Sequence, residues 1–179
     1  MKTTLKTGEL VRTAVFAALL CAAAPISVPV GPVPISMATL IIYVAAGVLG
    51  RGRAALAVSV YILLGAMGMP VFAGFSGGIS KLVGVTGGYI AGYIPLALIA
   101  GSFPAVSGRR FLIYPAGLLA GTAALYALGT AWFVVSTGNT LPSALAVCVV
   151  PFLPGDALKI AAAVVAAPVL RRALGRLSA

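Results

Sequence analysis

The sequence predicts an all-α fold in which six transmembrane helices cross a lipid bilayer. Hydrophobic residues make up 61% of the 179-residue chain and charged residues only 8%, whereas about a quarter of an ordinary soluble domain is charged. A spanning helix needs about 20 mainly apolar residues, and polar interruptions divide the chain into several apolar runs. The runs lack the two-residue alternation of a transmembrane barrel. We therefore expect one transmembrane domain over residues 1–179.

The first three predicted helices lie on either side of a proline-rich stretch. Helix one covers about residues 13–25, and we interpret it as a retained helix rather than a cleaved signal sequence, because proline-rich sequence and no soluble domain follows it. Four prolines between residues 25 and 34 remove backbone donors and exclude a regular helix there. Helices two and three are predicted at about 35–49 and 54–69.

A glycine-rich segment, residues 70–89, precedes the last three predicted helices. Its glycines could form a flexible linker, but its many apolar residues favour a loop that buries itself. We expect a re-entrant or lid-like extracellular loop over a binding site, because glycine permits close backbone approach to a ligand. Lys81 could pair with a carboxylate there, or could be a solvated loop residue. Helix four should then end near 101, helix five cover about 111–135, and helix six end near 170.

The positions of the basic residues indicate how the chain is oriented in the membrane. They are confined almost entirely to the two ends and to alternate linkers, in the clusters Lys2, Lys6 and Arg12; Arg51 and Arg53; Arg109 and Arg110; Arg171, Arg172 and Arg176. The linkers on the opposite side contain a single basic residue, Lys81. This distribution follows the positive-inside rule and predicts cytoplasmic N and C termini. A nucleic-acid partner is not expected, because such proteins gather their basic residues on one soluble face.

An acidic and a basic residue lie inside the last apolar segment. The chain has two acidic residues, Glu9 and Asp156, and the latter is three positions before Lys159. An ionisable side chain at bilayer depth costs about 2.5–3.5 kcal/mol and usually marks a functional site. At this spacing both side chains share one helix face and can pair. The alternative is a purely structural ion pair, whereas a binding pair would suit an amide, urea or lactam.

The backbone immediately before this pair is expected to be irregular. Pro151 and Pro154, followed by Gly155, should break or restart the helix just ahead of Asp156. Irregular backbone at membrane depth is tolerated where it is buried or lines a cavity. The sequence therefore predicts a binding cavity at this break.

A second candidate surface lies on helix one, where Ala14, Ala18 and Ala22 recur at four-residue spacing. Small residues at this spacing let membrane helices approach closely. The face could meet a partner protein or could pack inside the chain, since alanine is abundant throughout.

Catalytic and metal chemistry have little support in the sequence. There is no histidine and one membrane carboxylate, too few for a zinc site or a catalytic triad. Cys21 and Cys148 lie in apolar sequence and should pack as small hydrophobic residues. We predict no metal, no cofactor and no enzymatic activity. A small exporter or carrier of another low-molecular-weight compound is the alternative, although Lys159 would repel a cation.

The motifs together resemble the BioY family, the biotin-binding S components of energy-coupling factor (ECF) transporters, over nearly the whole chain. The resemblance is carried by residues 29–36, 68–74, 77–78 and 84–89, and most specifically by Pro151-Phe-Leu-Pro-Gly-Asp-Ala-Leu-Lys159. The family usually has glycine at the position of Phe75, proline at that of Val85 and often glutamine at that of Ala38.

This resemblance implies biotin uptake across the cytoplasmic membrane. It implies a transmembrane coupling subunit that meets the alanine face of helix one, and separate ATP-binding subunits, since the chain has no phosphate-binding G-x-x-x-x-G-K-[ST] sequence. Biotin also suits the pair, because its ureido ring offers N–H donors and a carbonyl. The candidate substrate-binding residues are Asp156, Lys159, Gly74, Ser76, Gly77, Gly78, Gly87, Gly88 and Tyr89.

Overall fold

The computed structural model describes residues 7–103, 105 and 113–176, and these are mostly helical. The helices are α1 (Thr7–Ala23), α2 (Ala38–Leu49), α3 (Arg51–Ala66), α4 (Ile79–Val83), α5 (Gly87–Gly101), α6 (Ile113–Thr137), α7 (Leu141–Cys148) and α8 (Leu153–Arg176). Two short strands, β1 (Ser27–Val28) and β2 (Ile35–Ser36), lie between α1 and α2.

The proline-rich stretch forms a small antiparallel hairpin. Ser27 pairs with Ser36 and Val28 with Ile35, so the expectation that no regular helix forms here is confirmed. The all-α prediction missed the two strands. Proline fixes a backbone torsion that extended chain accommodates, and the turn contains Gly31 in the left-handed region, with φ 74°. The hairpin thereby places Ser36 just before the start of α2.

Helices α1 and α3 begin earlier than their apolar sequence predicts. Glu9 lies in the first turn of α1, and its carboxylate forms a salt bridge of 2.6 Å with the guanidinium of Arg53 near the start of α3. Thr13 also donates to the Glu9 carbonyl at 2.9 Å. Polar side chains thus stabilise helical turns that a search for apolar runs leaves out.

The final predicted helix is divided in two. After α7 comes a single 3₁₀ turn, Val150–Phe152, and α8 begins at Leu153. The predicted break at Pro151 and Pro154 is therefore confirmed. It places Asp156 in the first turn of α8.

Within residues 7–103, 105 and 113–176, two segments are long and apolar enough to cross a membrane, Ile113–Thr137 and Leu141–Leu174. The second contains α7 and most of α8. Helices α2 and α5 are apolar but shorter, at 12 and 15 residues. Twelve helical residues extend only about 18 Å, compared with a hydrocarbon core of about 30 Å. The six crossings and the sidedness of the termini remain predictions. Lys2, Lys6, Arg109 and Arg110, which entered that prediction, lie outside the described residues.

The helices α2, α5, α6 and α8 form the body that holds the predicted pair. Helix α5 packs closely along α6, and α2 packs along α8. The Tyr114 hydroxyl of α6 donates to the Tyr43 carbonyl of α2 at 2.8 Å, and the Tyr43 hydroxyl lies 2.7 Å from that of Thr122. Buried hydrogen bonds of this kind fix the rotation of each helix. They hold α2 and α6 in register beside α8.

Candidate functional site

The Asp156 and Lys159 side chains form a buried ion pair in the first turns of α8. Lys159 Nζ lies 3.0 Å from Asp156 Oδ1, and the side chains are 11% and 5% exposed for Lys159 and Asp156 respectively. The predicted pairing is confirmed. A buried pair of this kind is stable only when its remaining donors and acceptors are also satisfied, so its surroundings decide what it can bind.

The ammonium group of Lys159 has all its hydrogen bonds within the protein. Nζ donates to the Ser36 carbonyl at 2.9 Å, to Thr39 Oγ1 at 3.0 Å and to Asp156 Oδ1 at 3.0 Å. A lysine ammonium has three N–H donors, and these three acceptors use them. Lys159 therefore neutralises and orients the carboxylate and has no donor left for a ligand in this arrangement.

The carboxylate of Asp156 retains an acceptor position. Thr39 Oγ1 donates to Oδ1 at 3.3 Å, alongside Lys159, and the Tyr126 hydroxyl donates to Oδ2 at 2.6 Å. An ionised carboxylate has about four lone-pair sites. Oδ2, with one donor, can therefore accept one further hydrogen bond, so the network is able to bind an N–H group without being dismantled.

The pair lines a small cavity of about 30 Å³. Its wall combines β2, α2, α5, α6 and α8, through the residues Val33, Pro34, Ser36, Thr39, Tyr89, Tyr93, Leu125, Tyr126, Phe152, Asp156 and Lys159. Because one water molecule occupies about 30 Å³ of the liquid, this space does not admit a ring. The pair alone is thus too enclosed to bind a drug-sized ligand.

A second cavity of about 380 Å³ adjoins the small one. Both are lined by Val33 and Pro34 of the hairpin and by Tyr89 and Tyr93 of α5. The larger volume falls within the usual range of small-molecule sites, about 300–1,000 Å³. Its lining is mainly apolar and aromatic, with hydroxyl and ammonium groups from the loop. The two cavities together provide an apolar compartment that ends at a buried acceptor.

The aromatic wall of the larger cavity depends on a close contact between α3 and the loop. The Phe72 ring packs edge-on against Tyr61, with ring centroids 5.6 Å apart. A side chain at Gly65 would overlap the Phe72 ring, so only glycine permits this approach. Backbone hydrogen bonds between Phe72 and Ser76 of 2.8 and 3.3 Å hold the loop beyond it. The ring is thereby fixed as a wall of the cavity.

The predicted loop residues divide into those that line the cavities and those that shape the backbone. Ser76 lines the larger cavity. Gly74, Gly77 and Gly78 line neither of the two cavities; Gly74 is exposed, Gly77 lies against the Met69 carbonyl, and the Gly78 amide donates to the Gly65 carbonyl at 2.7 Å. These glycines therefore set the path of the loop.

Gly87 and Gly88 are likewise structural in this arrangement. They are buried in the first turn of α5, where a side chain at Gly88 would overlap Trp132 of α6. Neither lines the two cavities. In this arrangement the two glycines permit close packing of α5 on α6, and their direct contact with a ligand stays a prediction. That packing sets where the next residue, Tyr89, lies.

Tyr89 lines both cavities. Its hydroxyl donates to the Cys148 carbonyl at 2.9 Å, and its ring is stacked on Phe152 with centroids 6.3 Å apart and planes 10° from parallel. The hydroxyl therefore already has a hydrogen-bond acceptor at the end of α7. The part of Tyr89 that is left to line the cavities is the surface of its ring.

Sequence reasoning missed several residues of the network. Thr39 and Tyr126 are polar residues within apolar helices, and that contrast is a signal that a sequence search could have used. The Ser36 contribution is a backbone carbonyl, which has no sequence signature. Tyr93, which lines both cavities, resembles any other aromatic residue of a membrane helix.

The alanine face of α1 points away from the rest of the chain. Ala14, Ala18 and Ala22 are exposed, whereas Phe16 and Leu20 on the other side are 5% and 0% exposed. The alternative that the three alanines pack inside the chain is therefore wrong. The face is available to lipid or to another protein.

Comparison with known proteins gives a consistent result. A biotin transporter BioY of Thermotoga maritima is 40% identical, over 92% of this chain and 96% of the relative, and a probable biotin transporter BioY of Pyrococcus horikoshii is 38% identical over 91% and 96%. The crystal structure of an S component for biotin from an ECF-type ABC transporter superposes with a TM-score of 0.86 at 25% identity, covering 96% of this chain and 95% of that one. The BioY family model matches residues 1–176. The chain therefore belongs to the BioY family.

Proposed function

We propose that this chain captures biotin at the cytoplasmic membrane, as the substrate-specific S component of an ECF-type ABC transporter. The observation that carries the proposal is an apolar cavity of about 380 Å³ beside a buried Asp156 network that keeps one acceptor position. The relatives named as biotin transporters and the similar S component for biotin support the same ligand.

The chemistry of biotin matches the two ends of this compartment. A ureido N–H can donate to the remaining acceptor position of Asp156 Oδ2, while Tyr126 keeps its own bond to the same oxygen. The sulfur-containing ring and the aliphatic tail suit the apolar wall, which includes Phe72 and Tyr93. Sites of this kind bury most of a ligand in apolar surface and orient it with a few polar groups.

Binding requires the wall between the cavities to move. The space beside Asp156, about 30 Å³, is too small for the bicyclic head of biotin. The residues shared by both cavities belong to the hairpin and to α5, and we assign the movement to Val33, Pro34 and Tyr93. Displacing them would join the two spaces and bring the head to Oδ2.

Six crossings with both termini in the cytoplasm complete the proposal. The basic clusters at Arg12, at Arg51 and Arg53, and at Arg171 support this orientation. The loop of residues 70–89 then faces the outside, where it can act as a lid. A reporter enzyme fused after Ala179 should be active only in its cytoplasmic form; activity of an extracellular reporter at that position would contradict the orientation.

Energy for uptake would come from partner subunits, namely a transmembrane coupling subunit and ATP-binding subunits. We place the coupling subunit on the exposed face formed by Ala14, Ala18 and Ala22. Small side chains allow a neighbouring membrane helix to approach closely.

Uptake in a biotin-requiring host tests the proposal. Cells without their own biotin transporter should accumulate labelled biotin, and grow at low biotin, when they express this chain together with coupling and ATP-binding subunits. The Asp156→Ala variant, expressed at the same level in the membrane, should restore neither. Equal uptake by cells with the vector alone would contradict the proposed function.

A further inference from the structure

The larger cavity has a cation at its loop end. Lys81 lies in the last turn of α4 and lines this cavity with the hydroxyl-bearing residues Ser76, Ser80 and Thr86. Lys159 and Asp156 line only the smaller cavity. Among the residues that line the larger cavity, Lys81 is the only charged one, so this end of the compartment carries a net positive charge.

The two lysines beside the cavities differ in what their ammonium groups already bind. Lys159 donates to three protein acceptors, one of them a carboxylate. The Lys81 side chain is exposed, and within residues 7–103, 105 and 113–176 its ammonium makes no ion pair. Its backbone is nevertheless fixed, because its amide donates to the Gly78 carbonyl at 3.1 Å and its carbonyl accepts a bond of 3.3 Å from the Thr86 hydroxyl. Lys81 thus offers a charge from a defined position.

The charge balance of the compartment distinguishes its two ends. At the buried end, the charge of Asp156 is compensated by Lys159 at 3.0 Å, so a neutral hydrogen-bonding group is favoured there. At the loop end the positive charge is uncompensated and borders an apolar wall, and an unpaired charge attracts a counter-ion. A ligand with a neutral polar head, an apolar body and an anionic tail would match both ends.

We propose that Lys81 binds the carboxylate of the ligand at the loop end of the larger cavity, and so selects monocarboxylates over their neutral derivatives. The inference rests on the proposed function, in which the ureido head lies at Asp156. It assigns the cation of the site to Lys81, and it gives Lys159 the role of holding Asp156. Because Lys81 belongs to α4, which lies within the loop of residues 70–89, this contact would connect the bound ligand to the loop.

The test compares biotin with biotin methyl ester, which keeps the head and tail but has no charge. Both ligands are titrated into the detergent-purified chain and into Lys81→Met, which retains length without charge. We expect Lys81→Met to bind biotin about three- to tenfold more weakly, as for a partly exposed charged contact, and to bind the ester as the wild type does. Lys81→Arg should retain most of the preference for biotin.

A matched control is Ile79→Met, on the same short helix but outside the cavity lining, which should leave both affinities unchanged. Unchanged biotin binding by Lys81→Met would mean that Lys81 is a solvated loop residue and would overturn the inference. An equal loss of both ligands would also overturn it, since the charge would then not be what is recognised. A different result would contradict the proposed function itself, namely that the wild-type chain binds neither biotin nor its methyl ester.

Discussion

Asp156 is the residue on which the proposed site depends most. The residue as a whole is 4% exposed, and its carboxylate accepts hydrogen bonds from Thr39, Tyr126 and Lys159. A buried charge survives only when such bonds replace its hydration. Three donors leave the carboxylate able to accept one more, so the same network that makes burial possible also aims an acceptor at the cavity.

Replacing Asp156 with alanine should weaken biotin binding strongly. The change leaves Lys159 without its counter-charge and the ureido group without an acceptor, and truncating one member of a buried charged set costs about 2–5 kcal/mol. Affinity should fall roughly 30-fold to several thousandfold. Titration of folded, purified protein measures it. Glu9→Ala, which removes the only other acidic side chain, is the control and should bind normally; wild-type affinity in Asp156→Ala would make the pair structural only.

Tyr126→Phe should show how much the orientation of the Asp156 carboxylate contributes to biotin affinity, because this change leaves the charge of Asp156 in place. The lost hydroxyl contacts Asp156 Oδ2 at 2.6 Å, so the oxygen that faces the ligand becomes less well oriented. We expect binding about three- to tenfold weaker. The matched control is Tyr43→Phe, whose hydroxyl bonds Thr122 away from both cavities; it should lower thermal stability and leave affinity unchanged. Equal affinity losses in the two variants would show a general packing effect.

At the residue scale, the sequence reveals the charges but not their partners. Asp156 and Lys159 could be found because their cost in apolar sequence is visible and their spacing places them together. Ser36 lies 123 positions from Lys159, and Tyr126 lies 30 from Asp156. Such contacts depend on how helices pack, which local sequence does not encode.

The loop of residues 70–89 is the element most suited to movement. At its tip Phe75 is 71% exposed and adopts φ 54°, a region that residues other than glycine rarely occupy. Backbone strain of this kind persists only where the surrounding structure imposes it. A rearranged loop could relieve it and change the exposure of the Phe75 ring.

Hydrogen exchange tests whether this loop closes over biotin. Amides of residues 75–88 should exchange more slowly with biotin than without, because closure excludes water and adds the contact of Lys81 with the carboxylate. Helix α6 serves as an internal reference whose exchange should change little. Equal exchange over residues 75–88 in both states would exclude a lid linked to the ligand.

Ala18→Leu should affect the partner rather than the ligand. The longer side chain would separate α1 from a neighbouring helix, while Ala18 itself is exposed and outside both cavities. Co-purification with the coupling subunit and uptake should both fall, with biotin binding to the isolated chain unchanged. Ala123→Leu, an equivalent change at an exposed position of α6, is the control. Lost binding with intact co-purification would contradict the assignment.

At the element scale, the sequence predicted where helices are interrupted by proline better than it predicted where each helix begins. The prolines correctly exclude a helix between α1 and α2 and predict a break just before Asp156, where the structure has α8 begin at Leu153. The hairpin itself was missed, because two-residue strands have no repeating pattern. The early start of α1 was missed because it depends on Glu9 and its distant partner Arg53.

The whole molecule places one polar network at the end of an apolar compartment. The network joins β2, α2, α6 and α8, whereas the loop and α5 complete the larger cavity. The resemblance of sequence motifs predicted the family, and the family match covers residues 1–176. The sequence predicted a cavity at the break before Asp156, but neither the larger cavity nor the shape of either one could be predicted, since both depend on packing such as that of Phe72 against Gly65.

Equilibrium binding of biotin to the purified chain tests the central claim most directly. The protein is titrated in detergent with biotin and, separately, with a lipophilic cation of similar size, as expected for the ligand of a small cation exporter. We predict tight, saturable binding of one biotin per chain that is lost in Asp156→Ala, and no binding of the cation. Binding of the cation with no binding of biotin would contradict the account.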